Sequence, residues 1–158
     1  MMKTLIQPAQ VIQIAFADGE FISPETITET DIATAEQRYI LPVIGLPLYE
    51  KLLANAYPPL LNDYLAPALA LYTRIVVQPN LTIRTSQLGT TAPQSACYQP
   101  AATAQIRAQM KALRQKARTL LHRLSEHLNA NTAAYPAYNA QNNTLTHCTI
   151  DGNFIQTR

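Results

Sequence analysis

The sequence predicts a mainly α-helical fold, a compact bundle of about four to five helices with two smaller β features. Apolar residues recur at helical spacing through most of the chain. Residues 79–100 change to an alternating and then polar pattern, which predicts a small β-strand and loop insertion. Asp151-Gly152 lies between two strand-like runs, which predicts a β-hairpin-like C-terminal tail.

The length and composition fit one domain. The 158 residues suffice to bury about 70% of the surface that the unfolded chain would expose. The chain has no apolar run long enough to cross a bilayer. Because Gln7 and Pro8 interrupt the apolar start, we expect no signal peptide and a cytoplasmic origin. In that compartment Cys97 and Cys148 are expected to be free thiols.

The first half predicts a series of short helices. Pro8–Phe16 has helical spacing, and Thr28 followed by Asp31 resembles a capping box at the start of the next helix. Pro42 should end or kink that helix, because it lacks an N–H and pushes the residue before it, Leu41, toward an extended conformation.

A corner and two further helices complete the central part. Gly45 supplies a permissive turn, and Leu46–Asn55 follows as a helix. Leu60–Val77 is apolar on nearly every face, which is typical of a central helix, although Pro67 should kink it or reset its start. Its tyrosines are interpreted as core residues.

The second half predicts one long helix between two β features. Ala101–Asn131 carries a continuous apolar stripe, and Lys and Arg cover the rest of its surface. Before it, Leu81, Ile83 and Thr85 alternate with polar residues as a short strand would. We therefore divide the chain into a helical domain, residues 1–138 with the insertion at 79–100, and a hairpin-like tail at 139–158. An isolated hairpin is marginal in water, so the tail should dock on its own domain or on another chain.

Charge is distributed unevenly along the chain. Residues 1–63 hold eight acidic residues against three Lys or Arg, and residues 64–158 hold nine Lys or Arg against two acidic residues. Opposite charges on two halves attract either within one molecule or between neighbouring copies, and the sequence leaves both open.

Residues that could carry chemistry do not form a catalytic or metal-binding pattern. His122 and His127 are five residues apart and do not share a helix face as an i, i+4 metal pair would. Ser125, Glu126 and His127 are consecutive and would point in different directions on a helix. We expect no enzyme, no cofactor, no metal site and no small-molecule substrate.

The basic long helix allows three interpretations. It is a solvated amphipathic helix, a contact for an acidic surface on a neighbouring molecule, or a weak nucleic-acid contact. Against nucleic acid, the helix itself has no aromatic residue on which a base could stack.

One run of residues resembles a known family. Residues 35–45 read AEQRYILPVIG, and Leu48-Tyr49 and Leu52 follow at fixed spacing. This pattern resembles a family of small phage and prophage proteins from Bacteroidetes-type genomes, a domain of unknown function whose members look like all-helical head–tail connector (adaptor) proteins of tailed phages. The resemblance covers roughly residues 10–138.

The resemblance implies a structural protein of the virion. Such proteins form a ring of copies between the portal and tail proteins, first in the bacterial host cytoplasm and then in the particle. The resemblance carries no catalytic residues. The alternatives are a nucleic-acid-associated helical protein that uses residues 101–131, and a monomeric protein-binding module. We expect the subunit or partner interface to include Leu81, Ile83, Arg84, Arg107, Lys111, Arg114, Arg118 and Phe154.

Overall fold

A computed structural model describes residues 3–16, 20, 22–82, 84–86, 89–91, 101–146, 148–151 and 154–157. Helices dominate this part of the chain and surround one apolar core. Side chains are described at 3–16, 20, 22–81 and 101–146. The prediction of a compact, mainly helical fold is confirmed.

The N-terminal helices begin where the sequence signals place them. α1 spans Pro8–Ala15, and a 3₁₀ turn at Pro24–Thr26 leads into α2 at Glu29–Ala35. The capping box predicted for α2 is present, because the hydroxyl of Thr28 accepts from the N–H of Asp31 and the Asp31 carboxylate accepts from the N–H of Thr28.

Pro42 does not affect the helix before it in the predicted way. After α2 the helix widens into a π-helical segment, Glu36–Ile40, and continues as α3, Leu41–Ile44. Leu41 has φ −55° and ψ −41°, so the prediction that Pro42 makes it extended is wrong. The wider π turn changes the hydrogen-bond pattern just before Pro42, which lacks an N–H, and α3 then includes this proline in its first turn.

The same arrangement occurs a second time. The short helix α5, Pro58–Leu60, is followed by a π-helical segment at Leu61–Leu65, and Pro67 comes two residues later in the first turn of α6. The corner between α3 and α4, Leu46–Leu53, is made by Gly45, whose φ of +77° and ψ of 157° favour a residue without a Cβ.

The central helix is α6, Ala66–Thr82, as its apolar composition predicts. Ala68, Leu69 and Ala70 are fully buried, and α1, α2 and α7 all pack against α6. α6 ends at Thr82 and not at the predicted Val77, because the helix continues past Pro79. Leu81 is therefore helical and partly buried against the core, and its assignment to a strand was wrong.

The long helix is confirmed as α7, Thr103–Ala130. Its second half is anchored, since Ala117, Leu121, Leu124 and Leu128 are buried in the core. The apolar residues of its first half, Ile106, Met110 and Leu113, are only partly buried.

The segment after α7 returns to the domain. Asn143 is fully buried, and its side-chain amide donates to Ser125 Oγ at 2.6 Å and to Tyr138 Oη at 2.8 Å. The N–H of Thr144 donates to the carbonyl of Pro42 at 3.2 Å. Leu145 is also partly buried against the core. The division of the chain into two parts at residue 138 stays a prediction.

Two short antiparallel strand pairs are present. β1, Arg84–Ser86, pairs with β2, Gly89–Thr91, and β3, Cys148–Asp151, pairs with β4, Phe154–Thr157. Each strand has only three or four residues, and their side chains are outside the described part of the structure. What these pairs contact, and their predicted role in an interface, stay predictions.

Candidate functional site

A groove with a basic rim runs along the outside of the helical core. Three adjoining pockets of about 390–400 Å³ each make it up, and Arg38 lines all three. One wall comes from α2 and the first π-helical segment, the floor from α6, and the opposite wall from α7. We call this the basic groove and define it by Arg38, Tyr39, Tyr72, Met110, Arg114 and Arg118.

Local helix geometry places Arg38 at the centre of the groove. The π-helical segment turns Glu36 into the core, where it is 1% exposed, and leaves Arg38 two residues later exposed on the groove side. The Arg38 guanidinium carbon lies 5.4 Å from the centroid of the Tyr39 ring. Arg38 is thus held against the groove wall by an aromatic ring.

The two tyrosines of the groove stack on each other. The ring centroids of Tyr39 and Tyr72 are 4.1 Å apart, and their planes differ by 14°. Burial and, to a smaller extent, the neighbouring Tyr39 raise the pKa of Tyr72 to about 12, against the opposing effect of the positive charge on Arg118. The hydroxyl of Tyr72 therefore stays neutral at physiological pH, and one face of each ring is covered by the other ring.

The charge of the groove is positive. Of the described residues that line its three pockets, none is Asp or Glu, whereas Arg38, Arg114 and Arg118 are all exposed. Among the described side chains one ion pair is formed, between Arg74 and Glu20, and it lies outside the groove. The three groove arginines therefore present uncompensated charge to a binding partner within the described structure.

Helix α7 extends the positive charge beyond the groove. Arg107, Lys111, Arg114 and Arg118 follow one another at intervals of four, three and four residues, so they share a face of α7. At 1.5 Å per residue this basic stripe is about 16 Å long. All four side chains are exposed, and the partly buried Ile106, Met110 and Leu113 lie on the adjoining face.

Of the predicted interface residues, these four are brought together by the structure. Leu81 does not lie on an exposed strand as predicted, because it is helical and packs against the core. Arg84 and Phe154 lie in the short strands β1 and β4 with undescribed side chains, and Ile83 lies outside the described residues. Arg38, Tyr39 and Tyr72 were missed, because only the fold brings them beside α7.

The two histidines of α7 make local contacts. His122 Nε2 accepts from Arg118 Nε at 3.4 Å. The His127 ring stacks on Tyr64 with centroids 4.1 Å apart, and its Nε2 lies 3.3 Å from the hydroxyl of Tyr135. Within the described residues, no group of three or more His, Cys, Asp or Glu side chains is placed to hold a metal ion.

In the same part of the chain, every helix is too short or too polar to span a bilayer.

A second surface lies on α4, which contributes no described residue to the groove. Leu46 is 55% exposed, the most exposed of the large apolar side chains in the described structure. Glu50 is exposed one helical turn later, at the i+4 position, and therefore lies on the same face. We call Leu46 and Glu50 the α4 face.

Comparison with known proteins gives a family but no described relative. No curated protein and no solved structure matches the chain. Residues 40–147 match a family of unknown function, DUF6712. This span includes α4, α6 and α7, with the α4 face, Tyr72 and the basic stripe. Since it covers more than half of the 158 residues, the chain belongs to the DUF6712 family.

Proposed function

We propose that this protein is a structural subunit of a tailed phage or prophage particle, a head–tail connector that assembles into a ring between the portal and the tail proteins. The observation that carries the proposal is the first half of α7. It carries the exposed basic stripe beside three apolar side chains, Ile106, Met110 and Leu113, that are only partly buried in the described structure.

The contrast between the two halves of α7 supports an assembly role. Ala117, Leu121, Leu124 and Leu128 are buried in the core and anchor the second half of the helix. Ile106, Met110 and Leu113 continue the apolar stripe but are only partly buried. Contiguous apolar surface beside charged residues is typical of protein–protein contact.

Closed rings also require two different surfaces on each copy, because the contact between neighbours is head to tail. The basic groove and the α4 face share no described residue, and the exposed Glu50 of the α4 face is opposite in charge to the groove arginines, which supports two different surfaces. The resemblance of roughly residues 10–138 to a phage and prophage family whose members look like head–tail connectors suggests the proposed location, in the host cytoplasm during assembly and then in the virion.

Ring formation is tested by electron microscopy of the concentrated protein, alone and with a phage portal protein from the same genome. The proposal expects ring-shaped particles in at least one sample, with the portal protein bound to them. Single copies in both samples, with no portal binding, would overturn it.

A nucleic-acid-associated function is the second candidate, favoured by the four exposed Lys and Arg of the basic stripe and by Arg38 nearby. It is weaker, because Tyr39 and Tyr72 stack on each other rather than offering two free faces to bases. Fluorescence anisotropy with a short DNA duplex at two salt concentrations separates the two. Salt-sensitive binding that Arg107→Glu with Lys111→Glu abolishes, in a protein that stays monomeric, would favour this alternative.

A further inference from the structure

We propose that the basic groove of one copy binds the α4 face of a second copy, with Leu46 against the apolar part of the groove and Glu50 against Arg114 and Arg118. This inference deepens the proposed function and rests on it, since it names the two surfaces that meet in the ring. Both surfaces are built from described residues of the same chain.

The chemistry of the groove selects a protein segment that is both apolar and acidic. Its floor includes the buried Ile75 and the partly buried Val76, and Met110 lies on the α7 wall. Its exposed charges are the guanidinium groups of Arg38, Arg114 and Arg118. A phosphodiester backbone would satisfy the charges but leave this apolar surface without a partner, whereas an aliphatic side chain one helical turn from a carboxylate satisfies both.

The α4 face has this composition. Leu46 is 55% exposed, although large aliphatic side chains gain free energy from burial, and Glu50 lies beside it at the i+4 position. The opposite side of α4 is used for folding, because Leu48 and Leu52 are buried in the core. Helix α4 can therefore dock on a neighbour without unpacking its own domain.

The positions of the two surfaces favour a head-to-tail contact. The groove is lined from α2, the first π-helical segment, α3, α6, α7 and residues 144–145, and none of its described lining residues comes from α4. The two surfaces share no described residue, so one copy would use different residues toward its two neighbours. Contacts of this kind close into a ring when the rotation between copies permits.

Charge reversal with complementation tests the pairing. Glu50→Arg and Arg114→Glu should each weaken self-association of the full chain by at least about tenfold, because like charges then face each other. Mixed one to one, the two variants should assemble again, since each groove then meets an opposite charge on the neighbouring α4 face. Sedimentation velocity of each variant and of the mixture measures all three states.

Matched control variants distinguish the loss of this contact from a general effect of changed charge or hydrophobicity. Lys116→Glu changes an exposed charge on α7 outside the basic stripe, and Glu126→Arg makes the same change as Glu50→Arg elsewhere. Leu46→Ser should weaken association, whereas Ile14→Ser, at a side chain that is 40% exposed on α1, should not. Thermal melts of each variant confirm that the fold is intact.

The outcomes distinguish this inference from the proposed function. A wild-type ring that Glu50→Arg, Arg114→Glu and Leu46→Ser all leave unchanged would overturn the groove contact and leave the ring proposal standing. Loss of assembly in the single variants without recovery in the mixture would also overturn the pairing. A wild-type chain that forms single copies alone and with the portal protein would overturn both.

Discussion

Glu36 offers the sharpest test of the packing, because a carboxyl group is 1% exposed there among apolar side chains. Its Oε1 accepts from the N–H of Leu5 at 2.7 Å, and its Oε2 accepts from the hydroxyl of Tyr49 at 2.7 Å. These bonds attach the N-terminal segment to the first π-helical segment. Replacing Glu36 by Ala removes the acceptor for both donors.

The loss of stability in Glu36→Ala can be estimated from these two donors. A buried donor left without a partner costs about 1–3 kcal/mol, and the half-buried Tyr49 loses less, because its hydroxyl can turn toward water. We therefore expect Glu36→Ala to lower the free energy of unfolding by about 2–4 kcal/mol at pH 4.5. Glu36→Gln should cost much less, since its amide oxygen can accept from Leu5 and its amide N–H can donate to Tyr49.

The direction in which stability changes with pH is an independent test. Burial raises the pKa of Glu36 above 4.5, and the bonds from Tyr49 and Leu5 only partly oppose the shift. A raised pKa in the folded state means that this group's contribution to stability is fully present below pH 4.5 and is lost as the pH rises through the folded-state pKa. Wild type should therefore lose stability relative to Glu36→Gln as the pH increases from 4.5 toward neutrality.

Urea denaturation followed by far-UV circular dichroism from pH 4.5 to 7.5 measures both effects, and it suits a chain without Trp. Glu25→Gln, at an exposed carboxyl group, is the matched control and should leave the pH dependence unchanged. A wild type that gains stability over Glu36→Gln as the pH rises would refute the reasoning, because it would show that the carboxylate is preferred when charged.

Three further predictions concern the C-terminal segment, the corner and the basic groove. Asn143→Ala should lower the free energy of unfolding by about 2–4 kcal/mol in urea denaturation, because Asn143 is fully buried and bonds to Ser125 and to the N–H of Leu145; a change below about 0.5 kcal/mol would contradict this. Gly45→Ala should lower the free energy of unfolding by about 1–3 kcal/mol in the same assay, because an alanine is strained at a φ of +77°, whereas the added Cβ has no neighbour closer than 3.8 Å. An unchanged free energy of unfolding would show that the backbone strain is wrongly assigned. Arg114→Glu with Arg118→Glu should leave thermal stability nearly unchanged but lower the self-association constant at least about tenfold by sedimentation velocity; equal assembly would remove the charge argument.

Much of the fold follows from the sequence because helix signals are local. The capping box at Thr28 and the apolar stripe of α7 each depend on residues within a few turns, and both are present. Pro42 was misjudged, because the wider π turn that precedes it is not visible in a periodicity of 3.6 residues. Leu81 was misjudged because burial against the core extends α6 past Pro79, and tertiary packing overrides a short alternating pattern.

The candidate site was only half predictable, for a related reason. Arg114 and Arg118 share a helix face, so their proximity follows from spacing alone. Arg38 is more than seventy residues away in sequence and reaches them only because α2 and α7 pack on the same side of α6. The exposure of Leu46 was equally hidden, since its apolar character alone suggests burial.

Self-association of this chain would raise the mass of the particle in solution well above that of one copy. Size-exclusion chromatography with light scattering at high protein concentration, with and without the portal protein and at low and high salt, gives that mass. We expect a mass that is a large multiple of 17.5 kDa and that decreases as salt screens the charges of the basic groove from those of the α4 face. A chain of 17.5 kDa under every condition would contradict it.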